Sequence, residues 1–211
     1  MAVPLPPTRD LPAGFAEIVE SLRAVRVRPE VVLGDSPAPQ RLAPYAVAVH
    51  GEVPDGDGEL ANGRLVILHD PAGQDVWEGD TRLVAYVRAA LEPDIARDPL
   101  LPGVGWSWLI DALTATGADY RAIGGTVTRV SSQRFGALSQ HPEAGEIELR
   151  ASWSPGSDDL SAHLHAFAEV LCFASGLPPA EPGVVMLPPA RRRTPRPRKT
   201  TGARPVRPKA R

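Results

Sequence analysis

Five histidines, a single cysteine, a serine pair and one glycine doublet ahead of an apolar run are the residues that could carry chemistry in this chain. His163 and His165 form an HxH pair, and imidazoles are common metal ligands. Their neighbours read as a helix, where positions two apart point about 200° from each other, so a shared metal is not expected. His69-Asp70 offers a general base beside a carboxylate. It falls at a turn, where aspartate bonds backbone amides instead, and no nucleophile is identifiable nearby. Cys172 would need a lowered pKa to react, and no adjacent basic residue supplies one. It sits beside the apolar stripe of its helix and is expected to be a small buried residue. Gly103-Val104-Gly105 precedes a helix and could present amides to an anion. It is neither a Walker loop nor GxGxxG, and it follows no clear strand. Ser131-Ser132 lacks the GxSxG context of a nucleophile elbow. The sequence thus predicts no catalytic residue, no metal ligand and no cofactor.

The elements that would position such residues are clearer. Asp98–Gly136 reads as loop, helix and strand, with Pro102-Gly103 breaking what precedes it. Trp106, Leu109, Ile110 and Leu113 recur at helical spacing and Gly117 marks the stop. From Tyr120 the apolar period changes to two, as in a strand, and Gly124-Gly125 inside it suggests a bulge or a close backbone approach. Trp108 does not fit the core stripe of the helix. On a helical wheel it lies roughly 150° from that centre, with Ala112 and Ala115 alongside. A second apolar face on one helix needs another layer or a partner, so Trp108, Ala112 and Ala115 are the candidate interface with another chain. The alternative is packing under the N-terminal helix or a loop.

Along the rest of the chain, Met1–Pro12 reads as a flexible arm. Phe15, Ile18, Val19, Leu22 and Val25 mark an amphipathic helix. Val31–Leu33 reads as a short strand, and the proline-rich Asp35–Pro44 as an extended connector. Tyr45–Val53, Arg64–His69 and Thr81–Leu91 are strand candidates joined by a polar loop over Pro54–Asn62 and a turn over Asp70–Gly73, with a helix as the competing reading for the end of the third, RAALEPDIARD. Leu65–Leu68 is apolar on both faces, which suits a central position. Ile147, Leu149, Ala151 and Trp153 alternate with Glu146, Glu148, Arg150 and Ser152, one face core and one solvent. Ser157-Asp158-Asp159 opens a last helix with a stripe of Leu160, Leu164, Phe167, Leu171 and Ala174. The expected fold class is α+β, α-βββ-α-ββ-α: about five mostly antiparallel strands and three main helices, in one domain over 13–179.

Charge is divided unevenly. Residues Ala190–Arg211 hold ten Lys/Arg and no Asp/Glu, so Met1–Pro189 has 13 basic against 25 acidic residues, a net of -12. Residues 180–211 read as a disordered Pro/Arg-rich tail. Arg191, Arg192, Arg193, Arg196, Arg198 and Lys199 are its candidate contacts to nucleic acid, weak and nonspecific through phosphates. There is no apolar run long enough for a membrane span and no signal-peptide pattern at the N-terminus. A single cysteine suits a reducing compartment, so a cytoplasmic location is expected.

The strings LRAVRVRPEVVL, PAPQRLAPYAVA, GRLVILHDPAGQDVWEG, DPLLPGVGWSWLIDAL, GGTVTRVSS and ELRASWSP, in that order, resemble an uncharacterised actinobacterial family, DUF3000. The resemblance spans roughly Phe15–Pro179 and implies a single domain of one type, with no activity, cofactor or site residue attached. The element order is also similar to class I secretion chaperones, a likeness of topology alone. That likeness implies a small, acidic, commonly dimeric protein that binds polypeptides. The functional expectation is therefore a non-enzymatic protein-binding module, chaperone-like or an adaptor, engaging a homodimer mate or another protein. The alternatives are a nucleic-acid-associated accessory protein acting through the tail, and an enzyme with a site of unrecognised type.

Overall fold

The computed structural model describes residues 3, 5, 7–9, 11–56 and 58–179. It is an α+β fold built on one antiparallel sheet of six strands with four helices. In chain order the elements are α1 (Ala13–Arg23), β1 (Val32–Asp35), β2 (Tyr45–Asp55), β3 (Gly58–Gln74), β4 (Gly79–Leu91), α2 (Pro93–Arg97), α3 (Leu101–Ala115), β5 (Tyr120–Ser132), β6 (Ala144–Pro155) and α4 (Ser161–Ala174). The strand order is β1-β2-β3-β4-β6-β5, so the last strand slots between β4 and β5. Among the described residues no helix is long and apolar enough to cross a membrane.

Side-chain alternation divides the sheet into two unlike faces. The inner face carries Val47, Val49, Leu65, Ile67, Leu83, Ala85, Val87, Ile147, Leu149, Ala151 and Trp153, all buried under α1, α3 and α4. The alternation expected of β6 holds: Ile147, Leu149 and Ala151 are buried, while Glu146, Glu148 and Arg150 stand on the other face. β3 is apolar on both sides. Its Val66 and Leu68, with Ala48 of β2, form a small second cluster on the outer face, packed by Ala43, Trp77 and Val84.

The sequence reading needs correction at four places. Among the described residues there are six strands rather than five, because Val32–Asp35 pairs with β2 as a short edge. Pro54–Asn62 is not a loop: β2 and β3 continue toward each other as a hairpin, with Asp55 opposite Gly58 and Gly56 at φ +59°. A fourth helix, α2, occupies the end of the stretch read as strand or helix. Val3 and Leu5, in the segment read as an arm, are buried in the core, and the Val3 amide donates to the Arg23 carbonyl. Residues 180–211, read as the tail, lie outside the described residues.

The seat of α4 depends on two missing side chains. A Cβ on Gly51 would stand 2.7 Å from a Leu171 methyl and 2.9 Å from the Phe167 ring. One on Gly63 would stand 2.6 Å from the Tyr86 carbonyl, 3.1 Å from Leu171 and 3.2 Å from Phe167. The helix therefore lies close on β2 and β3. Gly63→Ala should lower the unfolding free energy by about 1–3 kcal/mol, because a backbone carbonyl cannot step aside. Gly14→Ala, on the exposed side of α1 with nothing within 4 Å, should be neutral or slightly stabilising. Urea unfolding of the pair checks this.

Candidate functional site

Each residue that could carry chemistry is bound into the structure in a way that decides its role. His163 is buried, and its Nδ1 accepts a hydrogen bond from Trp153 Nε1 at 3.1 Å. His165 points elsewhere, its Nε2 donating to the Arg26 carbonyl at 2.9 Å. The helix thus separates the two imidazoles, as its geometry requires. Among the described residues no group of three or more His, Cys, Asp or Glu is placed to hold a metal.

His69 lies under α1, stacked on Phe15 with ring centroids 4.8 Å apart, and its Nδ1 meets Thr81 Oγ1 at 3.1 Å. Thr81 gives its own proton to Asp80, so His69 is the donor to Thr81. Asp70 behaves as its turn position demands, accepting from the Ala72 amide at 3.1 Å and from Gln74 Nε2 at 3.0 Å. The Gln74 bond, more than the amide, holds its carboxyl below the usual range.

Cys172 is fully buried, and burial pushes its thiol up to about 12 although Arg28 pulls the other way. A thiol held there is protonated at neutral pH and is not a nucleophile. Its surroundings are structural. Arg28 bridges Glu30 at 3.2 Å and Glu169 at 3.3 Å, and donates to the Pro178 carbonyl at 2.9 Å, tying the α1–β1 link to the end of α4.

The glycine doublet falls inside the first turns of α3. Gly105 is there for closeness: a Cβ would lie 2.8 Å from Ile147 and 3.1 Å from Val127. Asp98 already takes the amide of Leu100 at the helix start, at 2.8 Å. Ser131 and Ser132 end β5, exposed.

The Trp108 face is more informative, and its composition differs from the helical-wheel reading. The buried side of α3 is Leu101, Gly105, Leu109, Ala112 and Leu113. Trp106 and Ile110 are only half-buried; the Trp106 ring flanks β5, 2.9 Å from where a Cβ of Gly125 would stand. The core side is thus rotated toward the small residues, because α3 makes its closest approaches where Gly105 and Ala112 leave room. Ala112 is fully buried in the chain's own core, Ala115 is exposed, and Trp108 is half-buried. The three do not share one free face.

Trp108 instead lines a groove with Leu91, Ile95, Leu101, Val104 and Phe173, between α2, α3 and the end of α4. In it Ile95 is 49 % exposed and Val104 45 %, and exposed Leu100 lies on the α2–α3 link. Sequence reading missed Ile95, Leu100 and Val104. The signal was the apolar residue within PDIAR, once that stretch is taken as a helix rather than the end of a strand. Asp94, Asp98 and Asp111 stand exposed on the same two helices and their link. The candidate nucleic-acid contacts Arg191, Arg192, Arg193, Arg196, Arg198 and Lys199 lie outside the described residues.

His163 gives a pH signature. Burial holds its imidazole down at about 4, which Asp119 and Asp159 offset only in part. The folded state keeps it neutral, whereas the unfolded chain protonates it near 6.5. Its contribution is therefore complete above about pH 6.5 and is lost as pH falls toward about 4, a loss of roughly 3 kcal/mol. Thermal unfolding between about pH 7 and pH 4.5 should show this slope, and His163→Gln, which keeps an acceptor for Trp153, should flatten it.

No curated protein and no solved structure matches the chain. The model of one family does, over residues 11–185, which takes in all of the described elements from α1 to α4 and both faces of the sheet. The chain belongs to that family, described as protein of unknown function (DUF3000).

Proposed function

We propose that this protein is a non-catalytic polypeptide-binding module, and that the groove beside Trp108 receives an apolar segment of another protein. The observation that carries this reading is the exposed apolar pair Ile95 and Val104 lining the groove with a half-buried tryptophan. Exposed apolar side chains grouped about an aromatic anchor are the composition of binding centres, whereas singly scattered ones are ordinary surface. The rim adds a preference. Asp98 in its lining, with exposed Asp111 on α3, favours a segment whose flanks are basic, such as an amphipathic helix laid in the groove. The non-catalytic half of the reading is supported by the occupation of His69, His163 and Cys172 in packing and hydrogen bonds within the core.

A photo-crosslinking residue at Val104 should yield an adduct of one defined size in the native host, and Trp108→Glu in the same chain should abolish it. The same residue at Glu17, on the solvent side of α1, should give none. Adducts equal from both positions, or none from Val104, would overturn the reading. An adduct with a second copy of the chain would make the groove a homodimer contact.

A further inference from the structure

The outer face of the sheet is a second surface with a different chemistry. Cross-strand register arranges its side chains in rows that run across the sheet. One row is His50, Arg64, Tyr86, Arg150 and Thr126, on β2, β3, β4, β6 and β5 in turn. The next is Ala48, Val66, Val84, Ser152 and Gly124, and the third is Ala46, Leu68, Arg82, Ser154 and Arg121. These three rows contain four arginines and no carboxylate, in a body whose net charge is -12. The acidic side chains of this face lie beyond them, Glu52, Glu146 and Glu148 toward one end and Asp70 and Asp80 toward the other.

Three of the four, Arg64, Arg82 and Arg121, have no acidic partner within 4 Å among the described residues. Arg64 sits half-buried between His50 and Tyr86, and its Nε is buried with no hydrogen-bond partner. Arg82 donates only to neutral groups, Ser152 and Ser154, with the Glu78 carboxylate acting on it from beyond salt-bridge reach. By contrast Arg88 pairs with Glu146, and Arg150 with Glu148 at 3.0 Å. Arg150 also lies 5.1 Å over the Tyr86 ring, which leaves the outer side of its guanidinium plane as a flat platform. Arg64 of β3, opposite Tyr86, and Arg82 of β4 are offset by four residues or about 13 Å along the strands, and the row between them is apolar, with Ala48 and Val66 buried and Val84 half-buried.

We propose that this band binds single-stranded nucleic acid, with Arg64 and Arg82 on two separate, non-adjacent phosphates of one strand and a base stacked on the Arg150–Tyr86 platform. The ligand must be anionic, because a guanidinium with no acidic partner within 4 Å stands on each side of the apolar row. It must also bring flat groups, because the Tyr86-backed plane of Arg150 and the apolar edge of Val84 beside it are complementary to a planar ring. A nucleic acid supplies both at regular intervals, and bases stack on arginine planes as well as on aromatic rings. An acidic peptide supplies only the charge. The inference is independent of the Trp108 groove, which lies on the helical side.

The test is fluorescence anisotropy of the full chain with a labelled oligouridine of about twelve residues, across a salt series. Arg64→Gln with Arg82→Gln should weaken binding about tenfold or more and lower the slope of log affinity against log salt by about 1.4, roughly 0.7 for each phosphate contact on a single strand. Tyr86→Leu should weaken binding at every salt concentration and leave the slope unchanged, since stacking carries no counterions. Arg9→Gln controls for simple loss of charge, and Arg191→Gln with Arg192→Gln and Arg193→Gln separates the tail's contribution from that of the sheet. If a variant fails to fold, a 4-thiouridine oligomer cross-linked to the unaltered chain should still place adducts on peptides of β3, β4 or β6. Binding and slope unchanged in the double arginine variant, adducts confined to the tail, or equal competition by polyglutamate of the same length would each overturn the proposal.

Discussion

The fold depends on how closely α4 can approach the sheet. Phe167 and Leu171 reach β2 and β3 at van der Waals distance only because residues 51 and 63 carry no side chain. From that seat the rest follows. Trp153 of β6 is brought under the helix, where its indole finds an acceptor in His163 instead of being left buried and unpaired. The far end of α4 is then in reach of Arg28, which joins Glu30, Glu169 and the Pro178 carbonyl. Arg28 stays charged there, and its hydrogen bond, more than any other influence, holds the Glu30 carboxyl below its ordinary range. One oxygen of Glu30 remains buried without a partner. The clamp is thus a fastening of two segments far apart in sequence, and it costs some desolvation to maintain.

Crowding all helices onto one face has a second effect. It leaves two surfaces of unlike character. The helical side ends in an apolar groove with Asp98 in its lining. The sheet side presents arginines at fixed register positions, held by the regular pleat rather than by loops. Side chains displayed on strands are spaced by backbone hydrogen bonds, so their separations vary little. Residues on the groove side, at the meeting of a short helix and two longer ones, have more freedom to adapt.

What could be read from the sequence followed periodicity. The strict alternation of Glu146–Trp153 placed β6 and its register, and the stripe of Leu160, Leu164, Phe167, Leu171 and Ala174 placed α4. The glycines at 124 and 125 announced the break in β5–β6 pairing and the close approach of the Arg150 carbonyl, 2.3 Å from where a Cβ of Gly125 would stand. Asp70 was read correctly as a group that bonds the backbone. Three features escaped for physical reasons. The polarity of PDGDGEL concealed a hairpin, because both strand ends project beyond the core into water. The rotation of α3 was misjudged by giving weight to large residues, when the contact side is set by the small ones. The rows across the outer face could not be seen at all, because a row joins five strands and exists only once their register is fixed.

The strand order has a consequence for how the chain is made. β4 and β5 leave the ribosome before the strand that lies between them, since β6 begins only at Ala144. Until then β5 has no neighbour on either side, and the inner face formed by β2, β3 and β4 lacks α4, its principal cover. The final segment therefore completes the sheet and closes the core in one event, joining residues more than sixty positions apart such as Leu83 and Trp153. Pairings of that separation form late. A nascent chain paused before Ala144 is not a smaller version of the domain but an open sheet with two bare edges, the species that depends most on being shielded during synthesis.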